Sequence, residues 1–393
     1  MYKGFKFQLK PSKEQEVLCN KHVGCCRKVY NHFLDIRINY YEEFGESLSV
    51  RDCKKELTDL KKIWTFLQEV NTPSLQGALN DQEQAYKNFF AGRAQFPKFK
   101  SKHKDRQSFY MPNTNKSVRF ENRKIKVGKI GFIPIVKANK MFKRLPKVYK
   151  IKSVTVSKDS DQHWYASVLI ECENQAPLPR LDNIIGIDLG IKNNYKVCYL
   201  DGEALAYHTI DNPKAYETEF AKLQKLQRSL SRKQLKSKNR EKAKIKLTKQ
   251  HFRIKSIRKD FNHQLSKYLI NNFQMIVIED LDLDAMKQEN LGRKIDDLAF
   301  YQFRTFLAYK SEWYERDLVV ADKYFASTKI CSECGHKNML LTLKDRQYTC
   351  PSCQKQLDRD ENAAKNLYQL GYCCCENGGE ILDSTKYIQR LQQ

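Results

Sequence analysis

The chain has 393 residues, 41% of them hydrophobic, and carries 71 lysines and arginines against 46 acidic residues, a formal charge of +25. That length exceeds what one core fills and predicts roughly two to four domains, and the charge repels itself unless a polyanion such as nucleic acid neutralises it. No apolar run approaches the roughly 20 residues that span a bilayer, and Met1 to Phe7 lacks a signal-peptide core, so the composition excludes a membrane partner and predicts a cytosolic chain.

Residues 2 to 9 alternate as a half-buried strand does, and Pro11-Ser12 opens a helical pattern through Val17, Leu18, Val23, Val29, Tyr30 and Phe33. Helical periodicity continues in pieces to about Phe90, with a fresh start at Thr72-Pro73-Ser74, and predicts a helical insertion. Within Tyr86 to Arg106, Phe89, Phe90, Phe96 and Phe99 alternate with Lys87, Arg93, Lys98, Lys100 and Lys102, a mixture suited to stacking on bases and neutralising phosphates. Phe89 and Phe90 read as core, which leaves Arg93, Lys98 and Lys100 as the expected nucleic-acid contacts. Short strands follow at Ser117 to Phe120, Lys124 to Ile130, Lys150 to Ser157 and Trp164 to Ile170, a β-barrel or sheet completed by the N-terminal strand.

A proline-containing linker, Glu173 to Arg180, leads to the apolar strand Ile184 to Ile187, which runs straight into Asp188. From Lys222 to Lys259 there are sixteen Lys or Arg and one acid, Glu241. Apolar residues there fall at helical spacing (Leu223, Leu226, Leu230; then Ile254, Ile257, Phe261, Leu265). The pattern predicts two helices hinged near Lys236 to Asn239, with Arg228, Arg232, Lys233, Arg240 and Lys242 on a phosphate-gripping face. A second apolar strand, Met275 to Ile278, ends in Glu279-Asp280.

Cys331-Ser-Glu-Cys334 and Cys350-Pro-Ser-Cys353 stand fifteen residues apart, a spacing that places four thiolates around one structural Zn²⁺. The other nine of the thirteen cysteines, Cys25-Cys26 and Cys373-Cys374-Cys375 among them, read as reduced thiols. After the ribbon comes Asp358-Arg359-Asp360-Glu361, a helix start in which Asp358 and Glu361 have capping-box spacing and Asp360 is left to point elsewhere. Asp188, Glu279 and Asp360 each have a structural reading, as turn, loop or cap. Together they form the oxygen set that Mg²⁺ prefers, and two such ions would serve phosphodiester hydrolysis.

Four motifs carry a resemblance: Gly186-Ile-Asp188-Leu-Gly190-Ile-Lys-Asn193, Ile276-Val-Ile-Glu279-Asp-Leu281, Cys331-Ser-Glu-Cys334-Gly335 and Asp358-Arg-Asp360-Glu-Asn362-Ala-Ala-Lys-Asn366. With Leu75 to Leu79, Tyr86 to Lys100 and Leu226 to Lys233, they resemble the TnpB family, transposon-encoded RNA-guided endonucleases similar to type V CRISPR effectors. The resemblance runs to about Tyr372. It implies a multidomain α/β protein with a RuvC-like, RNase H-like nuclease domain (183–330 and 354–372, basic helical hairpin 213–270) interrupted by a zinc ribbon (331–353). The N-terminal part would be a β-barrel-like wedge domain (1–11 and 109–175) interrupted by a helical recognition domain (12–108), and the tail 373–393 matches nothing in the family.

The resemblance further implies that Asp188, Glu279 and Asp360 bind two catalytic Mg²⁺ ions. A guide RNA and target double-stranded DNA are the implied partners, and the nucleoid of a prokaryotic cell the implied location. Two other readings stay open: a nuclease-inactive RNA-guided DNA-binding regulator, which predicts damaged acids, and a strand-transferring transposase, which also uses a carboxylate trio.

Overall fold

The computed structural model describes all residues except 103, 191–193, 282–298, 343–344, 377–383 and 392–393. Asn193 of the first motif lies outside the described residues. The chain divides into two compact units, Met1–Asn174 and Gln175–Gln393. Among the described residues no helix is long and apolar enough to cross a membrane.

The first unit opens with β1 (Tyr2–Leu9), then α1 (Lys13–Phe44), α2 (Val50–Ile63) and α3 (Thr72–Phe90). It continues with β2 (Gln107–Pro112), β3 (Val118–Glu121), β4 (Lys124–Val127), β5 (Gly131–Pro134), α4 (Ala138–Phe142), β6 (Tyr149–Lys158) and β7 (Trp164–Cys172). Ser12 caps α1 by accepting the Gln15 amide while the Gln15 side chain returns to the Ser12 amide, which fixes where the insertion begins. The strands form two antiparallel sheets, β1-β7-β6-β2 and β3-β4-β5, bridged where Leu9 pairs with Ile135; of the barrel or sheet expected, sheets are what form, with the N-terminal strand as an edge. β2, which has no strong alternation, forms by pairing with β6 from Gln107–Lys158 to Pro112–Ser153. Helices and sheets share one core that includes Phe7, Val23, Phe33, Leu75, Ile125, Val154 and Trp164.

In the second unit β8 (Ile184–Gly190), β9 (Asn194–Asp201) and β10 (Ala204–Ile210) precede the helical pair α5 (Ala215–Ser231) and α6 (Lys238–Asn272). Then come β11 (Met275–Ile278), α7 (Phe300–Tyr314), β12 (Asp317–Val320), the ribbon strands β13 (Gln347–Thr349) and β14 (Gln356–Asp358), α8 (Arg359–Glu376) and α9 (Ser384–Leu391). The sheet order is β10-β9-β8-β11-β12, with β8, β11 and β12 parallel and the other pairs antiparallel.

Strand alternation divides this sheet into two faces. Ile185, Ile187, Leu189, Ile276 and Ile278 pack with Leu265 and Leu269 of α6 and Phe303 and Leu307 of α7. Ile184, Met275, Val277 and Val319 pack on the other face with Leu367 and Leu370 of α8. In the described part of the tail, Cys373 and Cys374 are buried in α8, and Tyr387 of α9 is 0% exposed in the same core.

Candidate functional site

The parallel register of β8 and β11 pairs Gly186 with Val277 and Ile187 with Ile278, so Asp188 and Glu279 are the next residues along neighbouring strands. Two residues on from Gly186, Asp188 shares its face, and that face packs against α8. The approach is tight: a Cβ on Gly186 would lie 2.3 Å from the Tyr368 nitrogen and 2.4 Å from the Ala364 oxygen. Ala364 is one helical turn beyond Asp360, so the first turn of α8 lies over the ends of both strands. Asp358 terminates β14 and caps α8, its Oδ1 accepting from the amides of Asp360 (2.9 Å) and Glu361 (3.0 Å). The Glu361 side chain turns away from the cap and ion-pairs with Lys196, the residue opposite Asp188 on β9, at 2.9 Å.

The electrostatics follow from that crowding. Burial, then the charges of Glu279 and Asp360, push the Asp188 carboxyl well above the usual range, and Arg359 only partly opposes them. Glu279 is also raised by burial, against a hydrogen bond from Ser327 and the charge of Arg359. Asp360 has Arg346 Nη1 at 3.9 Å. A buried carboxylate 5% exposed, with two more acids beside it, is costly as an anion, only partly relieved by the helix N-terminus above, and fits a hard divalent cation. Among the described residues, no carboxylate group draws its oxygens as close together as the four cysteines draw their sulfurs.

Those cysteines present sulfurs that all lie within 4.8 Å of one another, Cys331 to Cys353 at 3.7 Å and Cys334 to Cys350 at 3.5 Å. Four thiolates about 2.3 Å from a central zinc stand about 3.8 Å apart, so the residues fit Zn²⁺. Burial raises the Cys331 thiol to about 12, while Cys350, which burial also opposes, is brought down to about 7 by the backbone N–H groups of Cys353 and Ser352. Only a cation would hold all four as thiolates. Tyr348 closes the small core beneath them, its hydroxyl within donating distance of the carbonyl oxygens of Lys329 and His336 (each 3.2 Å).

The basic residues divide by what they touch. Arg228, Arg232, Lys233 and Lys242 are exposed on α5, the hinge and α6, as expected from their pattern. Arg240 is committed within the protein: its Nη1 donates to the carbonyls of Leu230 and Lys233 at 3.0 Å each, closing the hinge. Arg93 and Lys98 are exposed. Lys100 faces inward, its Nζ 3.8 Å from the centre of the Tyr30 ring and its backbone clasped by the Asn31 side chain at 2.8 and 2.9 Å. Phe90 departs from its expected core position and is 75% exposed, whereas Phe96 packs edge-on against Phe89 and Tyr86. Sequence reasoning missed Ser327, Lys196, Arg346 and Arg359. Of these, Arg359 carried the clearest signal, since it lies between the capping Asp358 and Asp360.

Three family models match: one described as "Probable transposase" (OrfB_IS605) over residues 167–290, a "Cas12f1-like, TNB domain" over 300–367, and a "Helix-turn-helix domain" over 1–46. In the last range the structure has one strand and one long helix. A protein of Streptomyces pristinaespiralis named as an RNA-guided DNA endonuclease is 35% identical over 96% of this chain and 92% of its own length. InsQ of Escherichia coli, also named as an RNA-guided DNA endonuclease, is 30% identical over 98% and 96%. Among solved structures, a Cas12f1-sgRNA-target DNA complex has a TM-score of 0.52 at 13% identity, covering 94% of this chain and 98% of that one. The mini-RNA-guided endonuclease CRISPR-Cas_phi3 has 0.53 at 9%, covering 94% and 92%. At such identities these structures bear on the fold alone.

Proposed function

This chain belongs to the TnpB family, and on that premise we propose that it is a transposon-encoded, RNA-guided, Mg²⁺-dependent DNA endonuclease. The observation that supports the chemistry is the crowding of Asp188, Glu279 and Asp360, from three distant stretches: burial first, then the charges of the other two acids, raises Asp188. The five-stranded sheet with α6, α7 and α8 is read as the RuvC-like, RNase H-like nuclease domain, interrupted by the ribbon. The first unit is read as the wedge and helical recognition domains.

Asp188, Glu279 and Asp360 would hold two Mg²⁺ ions, which when bound supply an activated water and charge neutralisation at the leaving oxygen of the phosphodiester. The chain's own residues prepare that site. Ser327 donates to Glu279 and fixes its rotamer. The N-terminal turn of α8 directs its peptide dipoles at the cluster, and Arg346 and Arg359 offset part of its negative charge. Cys331, Cys334, Cys350 and Cys353 would hold one structural Zn²⁺. The exposed cations of the α5–α6 hairpin suit a grip on phosphate backbone, leaving sequence choice to base pairing between guide RNA and target double-stranded DNA. The place of action would be the nucleoid of a prokaryotic cell.

Purified protein with its co-purifying RNA, Mg²⁺ and a target plasmid should yield linear DNA. EDTA or Asp188→Ala should abolish cutting while leaving binding intact. Undiminished cutting by Asp188→Ala would sink the catalytic assignment, and joined ends would indicate strand transfer.

A further inference from the structure

Asn362 and Asn366 belong to the motif after the ribbon but to neither metal site. Both are buried, one turn apart on α8, and both grip the segment from Ser327 to Ser332. Asn362 donates to the Ile330 carbonyl (2.7 Å) and accepts from the Ser332 amide (3.0 Å). Asn366 is 0% exposed, and its Nδ2 donates to the carbonyls of Ser327 (2.6 Å) and Ile330 (2.7 Å). With both amide protons engaged, the orientation of the carboxamide is fixed and its Oδ1 must face away from the segment.

There it meets the C-terminal helix. Tyr387 Oη lies 3.0 Å from Asn366 Oδ1 and 2.9 Å from Gln369 Oε1, and Gln369 in turn donates to the Ser332 carbonyl at 3.1 Å. The Tyr387 ring packs edge-on to Phe325, with centroids 5.2 Å apart. One buried tyrosine thus touches the segment just before Ser327 with its ring and braces, through its hydroxyl, the amide that holds the Ser327 carbonyl. Ser327 Oγ donates to Glu279.

We propose that Tyr387 is a positioning residue of the nuclease centre, acting through Asn366 and Ser327 on Glu279. The inference rests on the reading of Glu279 as a metal ligand. It gives the C-terminal helix a part in metal binding as well as in the fold. The same segment ends at Cys331 and Ser332, so the brace also reaches the first zinc knuckle.

The test uses the full chain with its guide RNA and the variants Tyr387→Phe, Ser327→Ala, their combination, and Ser327→Thr. Tyr387→Phe keeps the ring and removes one oxygen. Mn²⁺ binding, read by electron paramagnetic resonance, should weaken about 10-fold in Tyr387→Phe and at least as much in Ser327→Ala, in keeping with groups that orient metal ligands. Target binding should hold, the melting temperature should fall by no more than a few degrees as a buried acceptor loses its donor, and Ser327→Thr should restore Mn²⁺ affinity. The double variant should be no worse than Ser327→Ala alone, because both changes act along one path. Wild-type Mn²⁺ affinity in Tyr387→Phe, or additive losses in the double variant, would overturn the inference. Asp188→Ala in parallel separates the two claims: if it still cuts DNA the nuclease reading fails, whereas a dead Asp188→Ala beside an unaffected Tyr387→Phe removes only the role of Tyr387.

Discussion

Replacing Gly186 with alanine adds one methyl group where β8 and α8 touch. The new Cβ would stand 2.3 Å from the Tyr368 nitrogen, 2.4 Å from the Ala364 oxygen and 2.9 Å from the Leu367 carbonyl carbon. All three are backbone atoms of a helix, so no side chain can swing aside. Ordinary contact requires about 3.4 Å, so α8 must withdraw by about 1 Å. Gly186 is not among the glycines with left-handed backbone, and alanine itself meets no conformational strain there. Overpacking of this kind costs about 1–3 kcal/mol, partly offset by about 0.4–1 kcal/mol from a less flexible unfolded chain. The second unit should melt several degrees lower, at about 2–4 °C per kcal/mol.

The larger effect falls on chemistry. Asp360 rides on the first turn of the displaced helix while Asp188 stays on β8 and Glu279 at the end of β11, and a 1 Å misplacement of reacting groups costs on the order of 100-fold in rate. Single-turnover cleavage at saturating target, with melting curves alongside, measures both. Gly371→Ala is the internal control. Its Cβ would meet Val277 Cγ2 at 2.7 Å and Ile184 Cγ2 at 2.8 Å, but eleven residues, about 16 Å, beyond Asp360. It should lower stability with a smaller loss of rate. Gly4→Ala, with nothing within 4 Å, should change neither. A Gly186→Ala protein that melts lower yet cuts at the wild-type rate would refute the claim that the seat of α8 sets the cluster.

Cys350→Ser should lose about one zinc per chain by elemental analysis and lower the melting temperature of the second unit; full zinc content would reject the ribbon assignment. In EDTA, folding favours the protonated form of Asp188, so stability should fall as pH rises above the ordinary carboxylate range. Asp188→Asn should show a smaller fall, the part left to Glu279, and be more stable at pH 8 by about 0.5–2 kcal/mol, with Mg²⁺ raising the melting temperature of the wild type only. Equal melting curves would count against a crowded acid cluster. Changing Arg228, Arg232, Lys233 and Lys242 together to glutamine should flatten the salt dependence of DNA binding by up to about 0.9 per lost phosphate contact, and an unchanged slope would remove the hairpin from the interface. Arg240→Gln should instead destabilise the hinge by about 1–2 kcal/mol, read from melting curves, with the salt slope kept.

Elements with strong local signals were legible in the sequence. Ser12 and Asp358 cap the helices they were expected to start, the expected hinge falls at Ser237, which caps α6, and the stripe Leu223, Ile254 and Ile257 closes the α5–α6 pair. The β9–β10 hairpin was missed although Asp201-Gly202 marks its turn, and β2 was not foreseen because it takes its form from β6, a partner distant in sequence. Lys100 and Arg240 show the limit of reading charge by position. Both fall in basic stretches, yet one is held over Tyr30 and the other is spent on two carbonyls of a hinge. Ser327 had no motif, since its role exists only once a loop from the far side of β12 reaches the end of β11.

The alternation of β8 ties the two halves of the proposed activity together. Its odd residues, Ile185, Ile187 and Leu189, seat the C-terminal half of α6 through Leu265 and Leu269, and the N-terminal half of that 35-residue helix carries the exposed cations away from the sheet. Its even residues, Gly186 and Asp188, seat α8 and supply the first acid. The proposed phosphate grip and metal chemistry would therefore be built on opposite faces of one strand, each with its own packing. Changes on the hairpin should alter how much DNA is bound at a given salt concentration and leave the rate of the bound complex alone. Changes at the α8 face should do the reverse. A one-residue slip of β8 would exchange the faces and lose both, which is why this strand pairs on both edges, with β9 and β11, where a shift would break two ladders at once.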